Sequence, residues 1–477
     1  MPIIKVRNNR DEVVSDCSVV CFDRDGNECP EKDGKFLSEQ LCDELKGDVE
    51  HVDDVFVISH GWQGDAIGAT EQYSQWIRAM SESLSKQASF YGLPLPHKSL
   101  VIGIHWPSRP IGTEDFPRKA LESLGTALSA FGRVPNEDFL ALCCDGIIDS
   151  DGARQAFADI AELMDEDTIV SQNPRESFAF DINSQLKRTQ EKLQTATATI
   201  IDELDRKRKE FGGKAREGGR TAIAVAADLI KAAAELCDSK LSRESVPAMV
   251  INMLSFYQMK QRAHIVGTVG GAKLLTKILK SVNSSTRVHL MGHSFGCIVV
   301  SAMLASLEDE LQVDSLALIQ GALSIWSFSE QVQGMSGAGA YHNILPRVRG
   351  AIITTQSHKD TAVLLSYPAA VSILDPERFD VKYGYPDYAG LGSYGVRGWG
   401  IPICDLMLKP VTGRYFFRPG MFYNLRSDAA ICNGGPPSGA HCDIAKPEVA
   451  NAVWQAALSS MRSSAEHLEP VALSSNS

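Results

Sequence analysis

The 477-residue chain has no run of uncharged apolar residues as long as a membrane-spanning helix needs, which sets that architecture aside. It also lacks an apolar segment behind its first residues, Met1-Pro2-Ile3-Ile4-Lys5-Val6-Arg7, so no secretory signal is expected. Positive charge is in deficit: 47 Lys and Arg stand against 59 Asp and Glu, a net charge of -12. A general nucleic-acid binder carries a basic footprint, so no nucleic-acid partner is expected. The 11 cysteines include no CxxC pair, and an odd count in a long chain suits reduced thiols better than a disulfide framework. Together these absences lead to the expectation of a cytoplasmic protein. There is no internal repeat.

What is present is an ordinary globular composition, 44% hydrophobic and 22% charged. Short apolar runs end in Gly, Ser, His or Asp: Val55 to Ile58, Val101 to Ile104, Val288 to Met291, Ser315 to Ile319 and Ala351 to Thr355. Runs of this length without alternation suit strands buried on both faces of a parallel sheet. Helical patterns lie between them, as at Tyr73 to Ser85 and Ile298 to Leu307, and this order predicts a doubly wound α/β core with a mostly parallel sheet. At the front, Ser18 to Phe22 with the turn Asp25-Gly26-Asn27 reads as a sheet edge with a hairpin.

Residues 107–286 have helical periodicity and no convincing strand, too long for a simple crossover, and are expected to form a helical insertion that could fold over the sheet as a lid. The division is therefore 1–106 and 287–461 for the two parts of the core, 107–286 for the insertion and 462–477 for a disordered polar tail. Tyr383 to Pro419, rich in Gly, Pro and Tyr, reads as loops near the site. The basic run Arg206 to Lys209 would suit contact with anionic lipid, but Asp202, Glu203, Asp205 and Glu210 are interleaved with it and favour a solvated helix face.

Chemistry concentrates in Gly292-His293-Ser294-Phe295-Gly296. A nucleophile elbow needs a strand before it and a helix after it, and Arg287 to Met291 and Cys297 to Leu304 supply both. Ser294 is the candidate nucleophile, with the glycines allowing the tight turn. The backbone N–H of Phe295 is one expected oxyanion donor and that of Trp62, in Ser59-His60-Gly61-Trp62 after an earlier strand, the other. Acid and then histidine should follow the serine in the chain. His441, in the small-residue loop Ser438-Gly439-Ala440-His441, is the expected general base. Asp360, past the end of a late strand, is the expected acid, with Asp428 as its rival. His358 and Asp360 could pair as metal ligands, but no further ligand follows at suitable spacing, and Cys297 reads as a buried small apolar side chain.

The segments His60-Gly61-Trp62, His105-Trp106-Pro107-Ser108, Gly292 to Gly296, Leu318 to Ala322, Thr354 to Val363 and Ser438 to His441 resemble those of the α/β-hydrolase superfamily, close to its poorly characterised microbial serine-hydrolase members. The resemblance covers Val55 to Trp106 and Met259 to Leu458. It implies an esterase, lipase or related acyl hydrolase acting on a small-molecule or lipid-like acyl substrate, with no metal or organic cofactor. Serine in place of aspartate at 294 argues against epoxide hydrolase or dehalogenase chemistry. The Gly-Gly-Gly oxyanion signature of one large esterase branch is missing. A catalytically silent binding fold and a lipase gated by the helical insertion are the other readings.

Overall fold

A computed structural model describes residues 3–7, 13–47, 51–62, 66–93, 96–108, 143–144, 147–172, 182–210, 221–238, 246–332, 337–374, 385, 388–435 and 438–460. The expected disordered tail and the first part of the expected insertion, 109–142, lie outside the described residues.

Strands β1 (Ile3–Arg7) and β2 (Val13–Cys21) form an antiparallel hairpin. Helix α1 (Leu37–Lys46) follows, then β3 (Asp54–Ser59), α2 (Ala66–Tyr91) and β4 (Ser99–His105). After a helical stretch come β5 (Arg287–His293), β6 (Ser315–Ile319), β7 (Ile352–Gln356), β8 (Ile403–Met407) and β9 (Phe422–Arg426). They make one nine-stranded sheet in the order β1-β2-β4-β3-β5-β6-β7-β9-β8, and every pair except β1–β2 is parallel.

Because side chains alternate across a strand, each central strand feeds two cores. Val55 and Val57 of β3, Ile102 and Ile104 of β4 and Leu290 of β5 face one core, and Phe56, Ile58, Val101 and Met291 face the other. The second core is closed by α2 through Tyr73, Trp76 and Ile77, and by the last helix through Val453 and Trp454. Both faces are covered, so every residue of β3 and β6 is buried. This is why these strands read as unbroken apolar runs.

The connection between β4 and β5 holds α3 (Asp151–Gln172), α4 (Ile182–Glu210), α5 (Ala222–Asp238) and α6 (Val246–Val266), with α7 (Ala272–Ser281) after a π-helical turn. The four helices α3 to α6 pack in series around their own apolar core, which includes Phe157, Ile160, Ile200, Leu229 and Leu254. Two residues beyond Leu254 the environment changes: Phe256, Met259, Ala263 and Val266 of α6, and Leu274, Leu275 and Ile278 of α7, belong to the sheet core. One helix therefore joins the helical body to the sheet. On α4, Arg206 pairs with Glu203 of its own helix, as a solvated face would.

Two strands differ from expectation. The expected turn at Asp25-Gly26-Asn27 does reverse the chain, with Phe22 bridged antiparallel to Glu28 and Cys29 N donating to Cys21 O at 2.8 Å, but β2 itself is an inner strand between β1 and β4, and β1 forms the sheet edge. The stretch 383–419 contains β8, the opposite edge strand. The remaining elements are α8 (Gly296–Ala305), α9 (Tyr367–Leu374), the short α10 (Leu391–Tyr394) and α11 (Pro447–Ala457). Among the described residues no helix is long and apolar enough to cross a membrane.

Candidate active site

The strand order places the site before any side chain is considered. From β3 the chain moves outward to β4 and then returns to β5 on the other side of β3, so the carboxyl ends of β3 and β5 flank a topological switch point, where crevices in open α/β sheets form. These ends carry Ser59-His60-Gly61-Trp62 and His293-Ser294-Phe295.

Ser294 links β5 to α8 with φ at 54°. That left-handed conformation is unfavourable for a residue with a Cβ. It is held by hydrogen bonds from Ser294 N to Ile319 O (3.2 Å) and from Ala322 N to Ser294 O (3.2 Å). The elbow closes only because its glycines are bare: a Cβ on Gly292 would meet Gly296 O at 2.6 Å, and one on Gly296 would meet Ser59 O at 2.2 Å. A Cβ on Gly61 would fall 2.6 Å from Ser294 Cβ and 3.2 Å from its Oγ, so the backbone leading into Trp62 lies directly against the serine hydroxyl. The rings of Trp62 and Phe295 stack at 5.8 Å, and Phe256 of α6 meets both edge-on.

Asp360 is fully buried, and His441 Nδ1 donates to its Oδ2 at 2.7 Å. The two loops are joined along their backbones by an isolated bridge between Asp360 and Gly439 and by Ala440 N donating to Lys359 O (2.9 Å). Asp360 Oδ1 accepts the N–H of Val363 at 3.0 Å. Asp428, by contrast, accepts from His358 N and Arg426 Nε, both at 2.9 Å, and pairs with neither His441 nor the elbow.

The structure adds residues that carried no sequence signal for chemistry. His293 Nε2 donates to the backbone oxygen of His441 (3.0 Å), its Nδ1 accepts from Gln72 (3.0 Å), and the two imidazoles lie 4.6 Å apart. The His441 loop therefore sits against the elbow. Burial, reinforced by the neighbouring His441, pushes His293 well below the ordinary imidazole range, so it is neutral, as its two hydrogen bonds require. Gln320 at the end of β6 donates from Nε2 to Asp360 Oδ2 (2.9 Å) and to Gly392 O (3.0 Å). Its only outward sign is conformational: among the described residues, Gln320 (φ 45°) and Ser294 are the non-glycine residues at positive φ.

The chain matches no family model, no curated protein and no solved structure.

Beneath the loop of Trp62, His60 is fully buried and lowered to about 3, first by desolvation and then by the nearby His105. Its Nδ1 donates to Gly61 O (2.8 Å), its Nε2 faces His105 Nδ1 (3.1 Å), and its backbone oxygen accepts Trp106 Nε1 (3.2 Å). This set braces the peptide that lies on Ser294. Cys297, beside the elbow, is buried with its thiol on Gly292 O at 3.2 Å, and burial pushes that thiol up, away from reactivity. Among the described residues no cluster of three His, Cys, Asp or Glu is arranged to hold a metal ion.

Proposed function

We propose that this protein is a serine hydrolase of the α/β-hydrolase fold, cleaving a carboxylic ester or related acyl bond of a small-molecule or lipid-like substrate. The observation that carries the reading is the Asp360–His441 pair, 2.7 Å apart, seated against an elbow that holds Ser294 at φ 54°. In this mechanism Asp360 keeps the proton of His441 on Nδ1, which leaves Nε2 to accept the proton of Ser294 Oγ as that oxygen attacks the acyl carbon. The oxyanion is received by the backbone N–H groups of Phe295 and Trp62, aided by the positive end of α8. His441 returns the proton to the leaving oxygen, the acyl–serine bond forms, and the alcohol departs. Water, deprotonated by the same imidazole, then attacks the acyl-enzyme, releasing the acid and restoring Ser294. No cofactor takes part in this scheme.

The buried free thiols and the exposed Cys29, Cys432 and Cys442 suit a reducing compartment, and we assign the protein to the cytoplasm. Replacing Ser294 with Ala should lower hydrolysis of a short aryl ester by about 10⁴-fold or more. The same change should abolish labelling by a fluorophosphonate. Undiminished turnover in S294A would dispose of the mechanism.

A further inference from the structure

We infer that Gln320 is a positioning residue that holds Asp360 and moderates the negative charge that His441 experiences. The inference rests on the serine-hydrolase reading of the site. Its starting point is that Gln320 accepts two unfavourable features at once. Its backbone is left-handed at φ 45°, where glycine is at ease and glutamine is not. Its side-chain oxygen, Oε1, is buried with no hydrogen-bond partner. A fully buried residue that concentrates both is expected to return something locally. What it provides is the two N–H bonds of one amide group, to Asp360 Oδ2 at 2.9 Å and to Gly392 O at 3.0 Å.

The orientation of that amide follows from chemistry. Both neighbours are acceptors, so turning it over would set oxygen against oxygen at each contact, and the nitrogen must face them. The oxygen that Gln320 touches is the one that accepts His441 Nδ1 at 2.7 Å. A donor there draws off part of the charge that would otherwise stabilise the imidazolium. It also prevents Asp360 from rotating away, because the other carboxylate oxygen is tied to Val363 N. The backbone of Gln320 is itself pinned by its N–H to Thr355 Oγ1 at 3.0 Å, which fixes the amide relative to β7.

Other ionisable groups lie around the pair. They are His293 at the end of β5 with His60 behind it, Cys442 and Asp443 on the His441 loop, and His358 and Lys359 on the turn of Asp360. None changes when only residue 320 is replaced.

The test is the second-order rate of fluorophosphonate labelling of the full chain as a function of pH, for wild type, Q320M, Q320N and S294A. Methionine keeps the length and loses the donor. Asparagine is at ease in the left-handed conformation and is one methylene too short to reach Asp360. Without the donor the full charge of Asp360 acts on the imidazole, so the acidic limb of the Q320M profile should move up by about one pH unit, with the plateau about ten-fold lower. In Q320N the limb should move in the same direction. If Q320M does not fold, Q320N decides alone. A uniform loss of rate with an unmoved limb, or a profile equal to wild type, overturns the role of Gln320 while leaving the nucleophile intact. Labelling of S294A at the wild-type rate would instead overturn the serine-hydrolase reading itself.

Discussion

Two aspartates compete for the acid position on sequence order alone, and single hydrogen bonds separate them. Asp360 receives His441 Nδ1, Gln320 Nε2 and Val363 N, whereas Asp428 receives His358 N and Arg426 Nε. Exchanging Asp360 for Asn removes the charge and leaves one amide to answer both Gln320 and His441, which frees the imidazole to take the wrong tautomer. Turnover of an aryl ester should fall about 10³- to 10⁴-fold in D360N, and D428N should remain within about two-fold of wild type, as expected for a partly exposed surface pair. A large loss in D428N with none in D360N would reverse the assignment. Ser294 and His441 could be named as candidates from residue type and spacing, because the elbow is a local motif and the small-residue loop around His441 is distinctive. His293 and Gln320 were not, because a histidine beside a serine and a glutamine at a strand end acquire a role only through partners 148 and 40 residues away.

At the scale of elements, the two halves of helix α6 do different things. Its first half closes the core of the helical body with Val250 and Leu254, and its second lies on the sheet, where Phe256 meets Trp62, Phe295 and Tyr367 at 5.9, 5.1 and 5.6 Å. Truncating Phe256 to Ala should cost about 3 kcal/mol in urea unfolding, through lost burial and the cavity left behind. It should also lower the turnover rate, since the ring braces both residues proposed to bind the oxyanion. Truncating Leu229 to Ala, inside the helical body, should destabilise without that loss. Equal turnover in F256A and wild type would separate α6 from the site. Legibility follows burial at this scale too. Strands β3 to β7 stand out as apolar runs because both of their faces are covered. The edge strand β8, whose residues are only partly buried or exposed, has no such run and reads as loop.

For the molecule as a whole, the two ends of the sheet respond to acid differently. At the carboxyl end His60 and His293 are buried and neutral, with His60 lowered to about 3. An imidazole lowered on folding lets the unfolded chain bind the extra proton, so its contribution is complete above the unfolded value near 6.5 and is lost as pH falls toward the folded one. Between pH 7 and 5 His60 alone should remove about 2 kcal/mol of stability. Urea melts of H60N, in which an amide N–H can still reach Gly61 O, should show a shallower decline over that interval. An unchanged slope would mean that His60 is not the group being protonated. At the opposite end Asp54 is buried, which raises it, but hydrogen bonds from His289 and His97 and the Arg287 charge outweigh burial and hold the carboxyl well below the usual range. Its contribution is intact above about pH 4 and disappears only as pH falls further. What the sequence determined by itself is what depends on neighbours in the chain: apolar runs that must be covered on both faces, an elbow that needs glycines two residues either side of a serine, and a charge balance that disfavours polyanions. What only the tertiary structure decided is which distant groups share a hydrogen bond. The strand order that sets β3 beside β5, the hydrogen bond that pairs His441 with Asp360 and not Asp428, the hydrogen bonds of His293 and Gln320 and the crossing of α6 between two cores all arise from contacts between far-separated residues, whose geometry no local pattern encodes.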